Sequence, residues 1–351
     1  MTEHFGEPFR EQRALARGDA IVVRQECGVI RLAGRDRLTW LDSLVSQDVA
    51  HLGMGESAEA LLLDPNGRIE RVMRIVDDGV NTWILVDADA AGFSLWLDRM
   101  VFRRDVEVTN VSEVFQVVGY FVGGRASAAL APLTAAPHGV ALTWIDPWAG
   151  VVAGGWQYAS PDGHPATTWS YHETLLNADV TSSTLPDHAG SLALTALRVA
   201  AWRPALADID ETSLPHEFDW LRSAVHLAKG CYRGQETVAK VHNLGHPPRR
   251  LVSLDLDGSD SSLPEPGAFV ALADDPDKVV GHVTSSARHF EDGPIALALV
   301  KRSVPVDAPL VVRSPDSAPL AARQMPIVPS DAGKTLDVPR IKRDRVRPTR
   351  S

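Results

Sequence analysis

The feature that most constrains this chain is an octapeptide, Lys-Gly-Cys-Tyr-Arg-Gly-Gln-Glu, at residues 229–236. It places one of the chain's two cysteines, Cys231, between two glycines and two cations. Glycine permits backbone angles and close approaches that a side chain forbids, so the octapeptide predicts a tight turn. Residues 216–228 carry an apolar stripe at helical spacing, and residues 236–241 have a helical composition. We therefore expect the turn to join two helices.

Cys231 is the first candidate for chemistry. Lys229 and Arg233 favour a thiolate over a thiol, and the start of the following helix adds the positive end of its dipole. The sequence therefore predicts a reactive, partly exposed sulfur at residue 231. The alternative is a buried structural cysteine in a tight turn. For Cys27, at a predicted strand edge, simple packing is the favoured interpretation.

The other polar side chains of the octapeptide can act as ligand clamps or as structural supports. Cations at a helix start bind carboxylates, which makes Lys229 and Arg233 candidates for holding an anionic ligand. Alternatively, Arg233 is a solvated loop residue, and Gln235 and Glu236 support the first turn of the helix. Tyr232 either stacks on a flat ligand or anchors the loop in the core.

The predicted secondary structure changes from mixed helix and strand to strand alone at residues 245–250, where Gly-His-Pro-Pro-Arg-Arg breaks a predicted helix. Beyond this break, apolar and polar residues alternate at the period of two that β-strands require, as in residues 252–257. Short strands with proline and glycine between them predict a small antiparallel barrel. The elements expected before the break are strands at 21–23 and 29–32, a hairpin of 61–63 with 69–76, and helices at 36–46, 90–104, 191–201 and 216–228.

The net charge, the lengths of the apolar stretches and the cysteine and histidine content exclude several classes of function. The formal net charge of −10 argues against nucleic acid or an anionic membrane as the main partner, because both require a basic face. No stretch approaches the ~20 apolar residues of a membrane helix, and no signal-peptide pattern is present. Two cysteines make no disulfide framework, and the twelve histidines show no metal-ligand spacing. We therefore expect a cytoplasmic protein without a metal site. Residues 323–351, proline-rich and then basic, predict a disordered tail.

The octapeptide resembles the KGCYxGQE signature of the YgfZ-type folate-binding proteins, which are relatives of the glycine-cleavage T-protein, an aminomethyltransferase. Weaker matches run along most of the chain, at residues 34–41, 63–69 and 281–285. The resemblance implies an α+β, T-protein-like folate-binding fold. Its core of two α+β subdomains would occupy residues 1–249, and a C-terminal antiparallel β-barrel would occupy residues 250–322.

The resemblance also implies a ligand and a role. Tetrahydrofolate, or a derivative of it, would bind in a central cleft lined by the octapeptide. Cys231 would supply a reactive thiol, and the protein partners would be iron–sulfur assembly proteins or their clients. The cofactor-binding residues that the resemblance implies are Lys229, Tyr232, Arg233, Gln235, Glu236 and Arg198.

A folate-dependent aminomethyl or one-carbon transferase is the alternative function. In the T-protein, an aspartate a few residues after a Leu-Val-Val-Asn-Ala strand acts in catalysis. The matching strand here is residues 84–88, and the catalytic position holds Ser94, although Asp87 and Asp89 are close in sequence. A third class, a flavin-linked demethylase or oxidase, is disfavoured because the chain has no dinucleotide fingerprint.

A second family motif is also altered. The T-protein's Arg-x-Glu-x-Gly, which helps to hold the pterin ring, corresponds to residues 198–202, and Ala200 replaces the acidic residue. The carboxylates in the next loop that could substitute for it are Asp208, Asp210 and Glu211.

Overall fold

The computed structural model describes residues 2–258, 263–314 and 319–336. Its helices are α1 (Pro8–Ala16), α2 (Arg37–Asp42), α3 (Ala90–Met100), α4 (Arg125–Leu130), α5 (Ser191–Ala200) and α6 (Gln235–Leu244). Its strands are β1 (Ala20–Val23), β2 (Cys27–Ala33), β3 (Ser57–Leu63), β4 (Ile69–Asp77), β5 (Thr82–Asp87), β6 (Glu107–Asn110), β7 (Phe115–Phe121), β8 (Thr143–Ile145), β9 (Tyr171–Asn177), β10 (Asp187–His188), β11 (Arg249–Leu256), β12 (Phe269–Leu272), β13 (Asp275–His289), β14 (Gly293–Lys301), β15 (Leu310–Arg313) and β16 (Leu320–Pro326). Within the described ranges, every helix is too short or too polar to span a bilayer.

The first sheet has the strand order β3-β4-β5-β2-β6 and is antiparallel throughout. Its two faces pack into different cores, because successive side chains of a strand point to opposite sides. Ala60 and Leu62 of β3 pack with residues of α2 and α3, whereas Leu61 and Leu63 pack into a second, larger core. The sheet is therefore covered by two helices on one face and by the rest of the protein on the other.

The second sheet has the order β10-β1-β7-β9-β8, with β10 parallel to β1 and the remaining pairs antiparallel. On its outer face Ile21 and Val118 pack with Leu130 of α4. On its inner face Val22 and Val117 join the same large core as the first sheet. The inner faces of the two sheets thus share one core.

The strands after residue 248 close into a six-stranded antiparallel barrel in the order β11-β14-β13-β12-β15-β16. The alternation in β11 places successive side chains on opposite faces of the strand. Val252 and Leu254 pack inside the barrel, and Leu251 packs into the core shared by the two sheets. The predicted C-terminal barrel is confirmed. Its first strand begins at Arg249, so the predicted boundary between residues 249 and 250 falls inside this strand.

Two predictions differ from the structure. Residues 216–228 do not form a helix but two 3₁₀ turns, Pro215–Phe218 and Trp220–Arg222. Asp219 between them is left-handed at φ +57°, which ends any right-handed helix there.

The prediction that a disordered tail starts at residue 323 is wrong at its start. Residues 323–326 belong to β16, which pairs with β11 and β15, and Ile327 and Val328 are fully buried. The backbone N–H of Thr335 then bonds to the carbonyl of His242 on α6. Residues 337–351 lie outside the described residues.

Candidate functional site

A cavity of about 390 Å³ lies between the inner faces of the two sheets, closed on one side by α5 and by residues 203–207. Its wall is mostly apolar and aromatic, with Trp144, Trp169, Tyr171 and Trp220 contributing rings. Pockets of ~300–1,000 Å³ with aromatic walls and a few polar groups are typical of small-molecule sites. This cavity is the candidate functional site.

Two arginines and two carboxylates form a buried charged cluster in the cavity wall. Arg24 follows β1 and Arg74 lies in β4, while Asp87 ends β5 and Glu173 lies in β9. The Oδ1 of Asp87 lies 3.0 Å from the Nη2 of Arg24 and 2.7 Å from the Nη2 of Arg74. Glu173 is fully buried, with its carboxylate between the same two guanidiniums and the hydroxyl of Tyr171. Each sheet therefore supplies one arginine and one carboxylate.

The arginines fix the charge of Asp87. Burial alone would favour its neutral form, but the guanidiniums of Arg74 and Arg24 outweigh burial and hold its pKa well below the usual range. Asp87 is therefore a carboxylate at every physiological pH. It is suited to accept hydrogen bonds or to stabilise a cation, and it is a poor general base near neutrality.

A second charged group lies deeper in the wall and is centred on Arg203. Its Nη2 donates to the Oε1 of Glu59 at 2.6 Å, and its Nε donates to the Oδ2 of Asp146 at 3.0 Å. Trp169 and Trp220 donate their indole N–H groups to the same two carboxylates. The Nη1 of Arg203 has no hydrogen-bond partner among the described residues. This guanidinium is held rigidly and keeps one donor group unused.

Arg198 of α5, which the resemblance implies as a cofactor-binding residue, lines the cavity, but its guanidinium is bonded to protein groups. It donates to Asp208 at 2.8 Å and to the hydroxyl of Ser285 on β13 at 2.5 Å. The Ser285 hydroxyl in turn donates to the other carboxylate oxygen of Asp208 at 2.5 Å. Of the three candidate compensating carboxylates, Asp208 is therefore the one that meets Arg198, and together they tie α5 to the barrel.

The octapeptide lies elsewhere, and none of its residues is part of the cavity wall. The ammonium of Lys229 is buried and donates to Asp42, through both carbonyl and carboxylate, and to the carbonyls of Val45 and Gln47, all within 2.9 Å. Burial lowers the pKa of Lys229, and the hydrogen bond to Asp42 opposes that effect. Lys229 thus joins the octapeptide to the loop that follows α2.

The remaining predicted clamps are also in contact with protein. Arg233 pairs with Glu70 at 2.7 Å, and the side-chain amide of Gln235 donates to the carbonyl of Lys229 at 3.2 Å. Tyr232 is buried, with its ring centroid 5.5 Å from the ammonium of Lys229. Glu236, by contrast, is exposed at the start of α6. Binding of a cofactor by these residues stays a prediction.

The two cysteines have opposite environments. Cys231 is exposed at the surface, three residues before the helix-capping Gly234. Cys27 is half-buried, and burial raises the pKa of its thiol to about 12 even though Arg74 donates to its sulfur at 3.1 Å. The exposure of Cys231 agrees with the prediction. Lys229 and Arg233, however, are paired with the carboxylates of Asp42 and Glu70. The reactivity of Cys231 stays a prediction.

The three candidates for the catalytic position of the T-protein, Ser94, Asp87 and Asp89, do not lie together in the cavity wall. Ser94 is half-buried on α3, and Asp89 caps the start of that helix by accepting from the backbone N–H of Gly92. Asp87 alone of the three candidates lines the cavity.

Sequence reasoning missed most of the charged wall, although a signal was present. Glu59, Arg74 and Glu173 each lie in a strand and are followed two positions later, on the same face, by an apolar residue. Glu59 shares the period-two face of β3 with Leu61, which packs into the shared core, and Glu173 does the same with Leu175 on β9. A charged residue on a core-facing position is stable only when it is paired, so these positions mark a buried polar site.

Comparisons with known proteins fit this architecture. No protein-family model matches the chain. A chloroplastic protein of Arabidopsis thaliana, provisionally named a transferase, is 25% identical over 309 residues, which span 81% of this chain and 66% of that protein. The match thus covers just under two thirds of the relative's length.

Among solved structures, the glycine cleavage system aminomethyltransferase T from Bartonella henselae matches with a TM-score of 0.70 over 95% of this chain and 92% of that chain, at 16% identity. The heterotetrameric sarcosine oxidase from Corynebacterium sp. U-96 matches over 50% of this chain and 87% of that chain, at 11% identity, and its TM-score of 0.27 carries no argument. The chain therefore has the α+β fold of aminomethyltransferase T with a C-terminal closed antiparallel barrel, as predicted. At 16% identity the likeness establishes the fold and not an activity.

Proposed function

We propose that this protein binds tetrahydrofolate or a derivative of it in the central cavity, in the manner of the YgfZ-type proteins, and supports iron–sulfur cluster assembly or repair through the thiol of Cys231. The observation that carries the folate part is the aromatic cavity with its charged wall, in a chain with the fold of aminomethyltransferase T. The thiol part rests on the exposure of Cys231 and on the octapeptide around it. A cytoplasmic location stays a prediction.

The residues of the cavity fit such a ligand. The rings of Trp144, Trp169 and Tyr171 offer faces for a pterin ring and its benzoyl spacer. The amino-pyrimidine edge of a pterin needs a carboxylate acceptor, and Asp87 is the most accessible one that the two arginines hold ionised, with its side chain 21% exposed. Among the described residues, its Oδ2 accepts a hydrogen bond only from the Nη1 of Arg74, at 3.1 Å, so one lone pair remains for a ligand.

A matched pair of substitutions on α5 tests binding in the cavity. Leu194 lines the cavity, whereas Leu192, two residues earlier, is 42% exposed on the opposite side of the helix. We expect calorimetry to show tetrahydrofolate binding to the unaltered protein and to Leu192→Trp. Leu194→Trp should abolish binding, because the indole fills the space that the ligand needs. No heat with the unaltered protein, or equal binding by both variants, would refute the cavity as a folate site.

The two cysteines provide a matched test of the thiol. In a strain that lacks the endogenous gene, we expect Cys27→Ser to restore the activities of iron–sulfur enzymes and Cys231→Ser to fail. Both variants should accumulate to the same level, because serine is close to cysteine in size and neither cysteine residue is fully buried. Full restoration by Cys231→Ser would remove the thiol from the proposal and leave folate binding intact.

A second function, a folate-dependent aminomethyl or one-carbon transferase, is favoured by one observation: Asp87 lies in the cavity wall as a permanent anion. Such a group can stabilise a cationic one-carbon intermediate without acting as a base. Turnover of an aminomethyl or methyl donor that is lost in Asp87→Asn and retained in Asp89→Asn would establish this activity. Absence of turnover with every donor would leave a binding protein.

A further inference from the structure

The charged groups of the cavity wall largely satisfy one another. Asp87 and Glu173 are paired with Arg24 and Arg74, and Glu59 is bonded to Arg203. Opening any of these pairs exposes a buried, uncompensated charge, which is strongly unfavourable. Most of the polar contacts of a ligand must therefore come from groups outside these pairs.

Helix α5 supplies such groups. Ser191, Leu194, Thr195 and Arg198 follow one another at helical spacing and all line the cavity. Ser191 and Thr195 are half-buried, and their hydroxyls have no hydrogen-bond partner among the described residues. Thr195 lies one turn after Ser191, so the two hydroxyls form a short polar row on the face of α5 that also carries Leu194 and the engaged guanidinium of Arg198.

A hydroxyl suits one part of the ligand in particular. It both donates and accepts, and it carries no charge. The polar edge of a pterin ring is neutral and alternates donors with acceptors, whereas the glutamate tail is anionic and requires cations. Two neutral hydroxyls in a cavity that is also lined by aromatic rings therefore match the ring and not the tail.

We propose that the hydroxyls of Ser191 and Thr195 bind the polar edge of the ligand's bicyclic ring and so select a pterin-like ring over other flat molecules. This assignment rests on the proposed folate function and adds the side chains that read the ring. It predicts that the ring alone, without benzoyl spacer and glutamate, is recognised by the same hydroxyls.

Substitutions at residue 195 separate the hydroxyl from the shape of the side chain. Thr195→Val keeps the volume and removes the hydroxyl, and Thr195→Ser keeps the hydroxyl and removes a methyl group. We expect Thr195→Val to raise the dissociation constant of tetrahydrofolate by about fivefold to tenfold, the usual effect of one lost hydrogen bond. Thr195→Ser should bind as the unaltered protein does. Thr39→Val on α2, away from the cavity, is the control for loss of a helical threonine hydroxyl.

The probes are tetrahydrofolate and 6-methyltetrahydropterin, which carries the ring without the tail. The proposal expects Thr195→Val to weaken both probes by the same factor, and Ser191→Ala to act in the same direction. Unchanged affinity in Thr195→Val, equal losses in Thr195→Val and Thr195→Ser, or a loss confined to tetrahydrofolate would overturn it. If the unaltered protein binds neither probe, it is the folate function itself that fails.

Discussion

Glu173 is the residue on which the charged wall depends most. It is fully buried, and its carboxylate lies between the guanidiniums of Arg24 and Arg74, which come from different sheets. A buried pair adds little net stability when complete, but the loss of one partner leaves an uncompensated charge in a medium of low dielectric constant. Glu173 thus holds the two sheets in the spacing that leaves the cavity open.

We expect Glu173→Gln to lower the free energy of unfolding by about 3–5 kcal/mol, because two buried arginines would lose the fully buried carboxylate that lies between them. Glu70→Gln is the control, since Glu70 pairs with Arg233 at the surface and should change stability by less than about 1 kcal/mol. Urea denaturation measures both. Equal effects of the two substitutions would show that Glu173 is not a buried counter-ion.

Asp219 makes stability depend on pH. It is fully buried and its Oδ2 has no hydrogen-bond partner among the described residues. Burial raises its pKa to about 7, against the opposing hydrogen bond from the backbone N–H of Tyr158 and the charge of Arg222. An unfolded aspartate has a pKa of about 3.9, so the folded state holds its proton more tightly.

The sign follows from proton linkage. Between pH 4 and 7 the folded state binds more protons than the unfolded state, so the stability contributed by Asp219 is full below about pH 4 and is lost as pH rises through about 7. We expect Asp219→Asn to be relatively more stable at pH 8 than at pH 5 when each is compared with the unaltered protein. Asparagine tolerates the left-handed backbone at this position, so the fold is retained. Unfolding free energies at the two pH values measure the effect, and the same difference in the exposed Asp162→Asn would contradict it.

At the scale of elements, the octapeptide and the hairpin turn at residues 64–67 interlock. Gly234 has φ +84°, and a Cβ placed on it would lie 2.6 Å from the carbonyl oxygen of Asp64. A Cβ on Gly67 would lie 2.8 Å from the Cβ of Thr237 on α6. The close approach of these two backbones explains why both segments need glycine, and it fixes the start of α6.

The two glycines of the octapeptide should respond differently to substitution. We expect Gly234→Ala to destabilise the protein by about 1–3 kcal/mol, because alanine meets both a backbone clash and an unfavourable φ. A Cβ on Gly230 meets no atom within 4 Å, so Gly230→Ala should leave the melting temperature nearly unchanged. Thermal unfolding of the two variants measures the difference. An equal loss of melting temperature in both would mean that the turn is not held by the contact with Asp64.

Elements that depend on local turn chemistry were predicted correctly, whereas an element that depends on distant contacts was predicted wrongly. The hairpin around residues 64–67 and the start of α6 depend on local turn chemistry, which residue types reveal. The helix expected at 216–228 failed because Glu217 and Asp219 accept hydrogen bonds from Arg249 and from the backbone of Tyr158. Those partners are distant in sequence, so periodicity alone could not indicate them.

At the scale of the whole molecule, the architecture was predictable and the site was not. The octapeptide and the alternation after residue 245 pointed to the fold and the barrel. The charged wall joins Arg24 to Asp87 across 63 residues and joins Arg74 to Glu173, and such pairs arise only when the two sheets face each other. The octapeptide, prominent in sequence, lies outside the cavity that the fold creates.

The central claim is that a pterin-bearing molecule occupies the cavity between the two sheets. A crystal structure of the protein grown with tetrahydrofolate tests it most directly. The account predicts ligand density between the aromatic walls, with one ring edge at Asp87 and the hydroxyl of Thr195. Density only at the surface beside Cys231, or a cavity filled by water at saturating ligand, would contradict it.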